Sequence, residues 1–148
     1  RALHVLAVLM WIGGVAFVTA VLMPSIRRTT SAEERLAVFH RFEGRFAPQA
    51  AFWVLLAGAS GFWMTHRADL WSRFADLSYW WMHAMVFVWL AFATMLFVVE
   101  PLFLHKRMEA SPDPARDFAT MERLHWVALI LSLVTVLGAV AGSHGWVF

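Results

Sequence analysis

Four apolar stretches, each about as long as a bilayer is thick, constrain this chain more than any other feature. A helix needs about 20 mostly apolar residues to cross the hydrocarbon core, and residues 2–26, 46–65, 79–104 and 124–143 each supply such a run. The runs are continuous and not alternating, which selects helices over barrel strands. Composition closes off the soluble alternative. Of 148 residues, 61% are hydrophobic and 15% charged, where soluble domains carry about 25% charged residues. A chain this short has too much surface for its volume to hide that excess. The expected fold is therefore all-α: an integral membrane, antiparallel four-helix bundle forming one domain over residues 1–148.

The loops orient it. Arg27, Arg28, Arg35, Arg41 and Arg45 lie between spans one and two, and Lys106, Arg107, Arg116 and Arg123 between spans three and four; the other side has Arg1, Arg67 and Arg73. Positive loops stay in the cytoplasm, so both ends are expected outside, in a bacterial inner membrane. The formal net charge of +2 is spread over loops, which argues against a nucleic-acid partner. Trp63, Trp71, Trp80, Trp81 and Trp146 fall at the outer interface and only Trp126 at the inner one. Between spans one and two, Ser31 with Glu34 forms a capping-box pattern. Leu36, Phe39, Phe42 and Phe46 then recur at helical spacing among charges, which predicts a short amphipathic helix on the inner membrane surface. Residues 111–115, with Pro112 and Pro114, read as a turn.

The seven histidines fall into two layers. His4, His66, His83 and His144 lie near the outer ends of the four spans, and His40, His105 and His125 near the inner side. Ionisable groups at membrane depth are costly and mark function, and neutral imidazole is the usual axial ligand of b-type haem in helix bundles. Against that, a histidine within a turn of the interface is often simply solvated, as expected for His40 and in even measure for His66 and His144. His4 and His83 are the stronger candidates. His83 and His105 are 22 positions apart, about 33 Å along a helix, and return to nearly one face, so span three could wall two haems. The absence of cysteine rules out thiolate sites and covalent haem attachment.

Glu100 is the one carboxylate inside a span and precedes Pro101, where a kink is expected. It reads either as a proton relay or quinone contact, or as the structural partner of Arg27, Arg28 or Arg107. Gly13-Gly14, Gly58 with Gly61, and Gly138 with Gly142 give small surfaces for close packing; a flat macrocycle would use the same space. Met64, Met82 and Met85 near His66, His83 and His4 form a competing thioether–imidazole set suited to Cu(I), although methionine is also a common core filler.

The segment His4-Val5-Leu6-Ala7-Val8-Leu9-Met10-Trp11-Ile12-Gly13-Gly14 resembles the first helix of the copper-resistance D (CopD-like) membrane proteins and of the related HemJ-type protoporphyrinogen oxidases. Trp81-Met82-His83-Ala84-Met85 resembles the Trp-x-His-x-Lys segment of the third HemJ-type helix. The resemblance covers four spans in the same order. It implies b-type haem held by His4 and His83, or copper handled at the outer face. Met85 stands where the HemJ-type pattern has its lysine, so the oxidase activity ranks last. The expectation is a membrane protein of b-type cytochrome character, with one or two haems, possible oxidoreductase activity, and electron flow between quinone and an outer-face partner. His4 and His83 are placed at the outer haem, His66 and His144 near it, His105 and His125 at an inner one, and Glu100 at the quinone. Copper on His4, His83, Met82 and Met85 is the alternative. The other partners are the lipid bilayer and, as an open option, further copies of the chain.

Overall fold

Helix follows helix with no strand among the described residues of the computed structural model, which are 1–104 and 111–145. The first helical rod runs Ala2–Thr29 as α1 (Ala2–Phe17), a π-helical turn (Val18–Leu22) and α2 (Met23–Thr29). The widened turn has a cause in Pro24, whose ring would collide with the carbonyl four residues back and which offers no N–H to it. Thr19, fully buried, returns its hydroxyl to the Val15 carbonyl at 2.7 Å. Next comes α3 (Arg35–Arg67). Two 3-10 turns (Trp71–Ala75 and Leu77–Tyr79) lead into α4 (Trp80–Thr94). The chain continues from α4 as a π-helical run, Met95–Leu104, around Pro101. The helix α5 (Pro114–Ser143) completes the order. Its start is fixed by Asp113, whose carboxylate accepts from the Arg116 N–H at 3.0 Å, with Pro114 in the first turn.

One sequence expectation changes here and another is graded. Among the described residues, three helices are by length and composition apolar enough to cross a membrane: Ala2–Thr29, Leu77–Leu102 and Pro114–Ser143, with mean hydropathies of 2.5, 2.2 and 2.2. The helix that holds residues 46–65 is as long but less apolar, because Pro48, Gln49 and several Gly, Ser and Trp residues dilute its aliphatic run. The surface helix expected over residues 31–45 is not a separate element. It forms the first turns of α3, which at 33 residues is about 50 Å long against about 30 Å of hydrocarbon. Leu36 and Phe39, assigned to the membrane surface, are 3% and 2% exposed. The Ser31 hydroxyl meets the Glu34 carboxylate at 2.9 Å, a variant of the expected capping box that ties the turn just before α3.

Two cores hold the helices. Ala7, Trp11, Ile12 and Val15 of α1, Val54 and Ala57 of α3, Val88 of α4 and Leu129 of α5 make the larger one, so four helices share it. The smaller one lies at the arginine-rich end. There Met23 and Ile26 of α2 meet Leu36 and Phe39 of α3 and Phe118 of α5, and Phe39 stacks edge-on to Phe118 at 6.2 Å. Arg27 and Glu122 close its rim at 3.5 Å. The outward faces are as apolar as the core: Leu9, Phe87, Leu124 and Leu137 are all exposed, and only 17% of the apolar stretch in α5 is buried. Water is a poor solvent for such a surface.

Candidate functional site

Each outer-layer histidine has a different hydrogen-bonding state. His4 leans from α1 onto α3, with its Nδ1 3.0 Å from the Ala57 carbonyl and 3.1 Å from the Ser60 hydroxyl. A carbonyl only accepts, so Nδ1 carries the hydrogen and Nε2 the lone pair. The ring lies over Gly61, where a Cβ would come within 3.1 Å of His4 Cε1. The backbone of α3 thus sets both the tautomer and the seat of this imidazole.

His83 is different. Its Nδ1 faces the Tyr79 carbonyl at 3.3 Å and its Nε2 the Phe74 carbonyl at 3.1 Å. Both ring nitrogens face backbone oxygens, of which a neutral ring can donate to one, and the ring packs edge-on to Phe74 at 5.6 Å. It fastens the loop between α3 and α4 to the start of α4. His4 sits against α3 and His83 against its own preceding loop. His66 is exposed at the end of α3. His144, also exposed, donates through Nδ1 to Val140 at 2.8 Å. Met82 is a core residue at 7% exposure, and Met85 is partly buried. Among the described residues no three His, Asp or Glu side chains gather around a point where one ion could sit.

The glycines explain the tryptophan asymmetry. A Cβ on Gly58 would lie 2.5 Å from the Trp89 ring, whose Nε1 donates to the Val54 carbonyl at 2.8 Å. On α5, Gly138 and Gly142 receive the rings of Trp80 and Trp81. Trp71 stacks on Phe62 at 6.5 Å. Trp80 and Trp81, expected at the outer interface, are packing pieces seated on glycine, and they fill the space beside Gly138 and Gly142. Trp63 is 65% exposed. At the centre, Trp11 is 5% exposed and meets Phe92 edge-on at 5.0 Å, yet its Nε1 has no acceptor among the described residues. A buried donor without a partner costs about 1–3 kcal/mol and calls for an explanation.

At the arginine-rich end, His125 donates from Nδ1 to the Met121 carbonyl at 2.9 Å and lies edge-on to Phe39 at 5.7 Å. His105 lies outside the described residues. Glu100 lines an open cleft of about 340 Å³ with Gly44, Ala47, Pro48, Ala51, Leu96 and Pro101. Beside it sits a residue that sequence reasoning missed. Glu43 was read as the polar face of a surface helix, but α3 runs straight on through it and turns it inward. Burial, and next the charge of Glu100, push its carboxyl up to about 7. Its Oε2 makes no hydrogen bond among the described residues and lies 3.7 Å from His40 Nδ1. The available signal was the i, i+3 spacing of His40 and Glu43, which puts both on one face of a helix that continues. No family model matches the chain, and no curated protein and no solved structure is found to be similar to it.

Proposed function

We propose that this chain is a protein of the bacterial inner membrane, with both ends outward, that binds b-type haem and passes electrons between quinone and a partner at the outer face. Membrane residence is supported by three long apolar helices and by exposed faces as apolar as the core. Orientation is supported by the basic loops.

The observation that carries the haem reading is the seat of His4. A metal-bound histidine typically gives its other N–H to a carbonyl, which fixes the ring and directs the remaining lone pair at the metal. His4 has that arrangement with Ala57. Trp11 lies seven residues on, hence on nearly the same face of α1 and about 10 Å along it, and its orphaned N–H suits an acceptor oxygen on a bound group. At the inner level His125 holds the same tautomer. The residues therefore fit haem through one imidazole on each level: His4 would hold the outer group and His125 the inner. His83 does not fit as second ligand while two carbonyls face its ring nitrogens. Bound haem would supply reversible one-electron chemistry at iron, tuned by its ligand and the apolar surroundings. The chain's own part is to hold His4 and His125 in one tautomer and to keep water out.

The test is the absorption spectrum of the purified protein in detergent. A Soret band with reducible α and β bands, lost or shifted in His4→Ala and kept in His66→Ala, is the expected result. A colourless protein refutes the haem reading, and stoichiometric copper in its place establishes the alternative. An unchanged spectrum in His4→Ala refutes the ligand.

A further inference from the structure

The cleft beside Glu100 sits where two helices have both lost part of their hydrogen-bond ladder. Pro48 of α3 offers no N–H to the Gly44 carbonyl, and Pro101 stands in the π-helical run opposite. Gly44, Pro48 and Pro101 all line the cleft with Glu100. Its floor is small and apolar, formed by Ala47 and Ala51, and among the described residues its one ionisable wall is Glu100. Behind Gly44, one residue back on α3, is Glu43, and one turn further back is His40. His40, Glu43 and Glu100 thus form a row from the arginine-rich end to the cleft.

We propose that this row is a proton path, in which Glu43 stores a proton and hands it to Glu100, whose protonated carboxyl then donates a hydrogen bond to the carbonyl headgroup of an amphipathic ligand in the cleft. The proposal deepens the quinone side of the reading above and rests on the chain's residence in a membrane, but not on haem.

In the step itself, the Glu43 carboxyl gives its proton to the Glu100 carboxylate and becomes anionic. A proton from water at the arginine-rich end, passed through the His40 imidazole, restores it. Burial first, and then the neighbouring charge of Glu100, disfavour the ionised form, so the Glu43 carboxyl holds its proton up to about pH 7. Among the described residues, His40 from α3 and Glu100 from the π-helical run face Glu43. Arg41 and Arg45 on α3 are exposed, and Arg27 and Glu122 on α2 and α5 pair with each other. The apolar floor suits a ring or chain, and the carboxyl at its edge suits a polar headgroup.

The full chain in detergent, followed by infrared spectroscopy through a pH titration, tests this directly. Wild type is expected to lose a protonated-carboxyl band with a midpoint near 7, and Glu43→Gln to lack that band. Glu100→Gln removes the neighbouring negative charge and is expected to lower the midpoint by about one unit. A short-chain benzoquinone added to wild type is expected to shift the midpoint, and Glu100→Gln to remove that shift. Absence of a carboxyl titrating near neutrality in wild type overturns the stored proton, even if Glu43→Gln fails to fold. Persistence of the band in Glu43→Gln overturns its assignment, and a midpoint indifferent to the quinone overturns the ligand class. None of these signals uses haem absorption, so a colourless protein and a failed proton path are separate results.

Discussion

A carboxyl at position 43 that holds its proton to about pH 7 in the folded chain makes stability depend on pH. In the unfolded chain the same group ionises near 4.5. Between those values the native state binds more protons, so stability falls as pH rises through the window, by up to about 3 kcal/mol. Thermal unfolding in detergent should therefore give a lower Tm at pH 7.5 than at pH 5, and Glu43→Gln should flatten the difference. A steeper fall in the variant would contradict the buried-carboxyl account. Asp76 titrates the other way: the Ser78 N–H and hydroxyl hold its exposed carboxyl below the usual range. His4 and His83 show why residue type alone under-determines a role. Both are histidines near a helix end, and sequence could place both. Only the carbonyls around each ring separate an imidazole with its Nε2 lone pair to offer from one used to pin a loop.

At the scale of elements, helix existence was legible in the sequence and helix extent was not. Apolar runs locate the parts that need lipid, but a helix stops where its caps and turns stop it. The helix α5 begins ten residues before its apolar run because Asp113 and Pro114 start it there, and α3 begins before its own because Leu36 and Phe39 find a protein core. Pairing was also hidden: a glycine pattern announces close approach without saying what approaches. Here the partner is an indole, and the consequence is measurable. Gly58→Ala would force a methyl into the Trp89 ring, an overpacking that costs about 1–3 kcal/mol. Gly13→Ala meets open space, with nothing within 4 Å, and should be neutral or slightly stabilising through helix propensity. Denaturant titration of the two variants checks the pair, and equal destabilisation would contradict the seating.

For the molecule as a whole, the absence of cysteine makes orientation directly testable. Single cysteines at Ser72, between α3 and α4, and at Ser111, before α5, lie at opposite ends of the helices. In intact cells an impermeant thiol reagent should label Ser72→Cys and spare Ser111→Cys until the membrane is opened. The reverse pattern would invert the topology, and labelling of both would contradict a crossing between them. The loop charges are what predict this orientation. The helical stub of α2, α3 and α5 beyond the apolar runs was not, because its packing is a tertiary fact.

The two rings that α4 lays on α5 also fix how those helices can align. Trp80 and Trp81 are consecutive, and their seats, Gly138 and Gly142, are one turn apart. If α5 slid by a turn, Trp81 would find Gly138, but Trp80 would face Val134, whose side chain fills the place a glycine leaves open. A single ring on a single glycine would tolerate such slippage at every small residue along the helix. Two rings in tandem accept one alignment, so α4 and α5 mesh like a gear with two teeth.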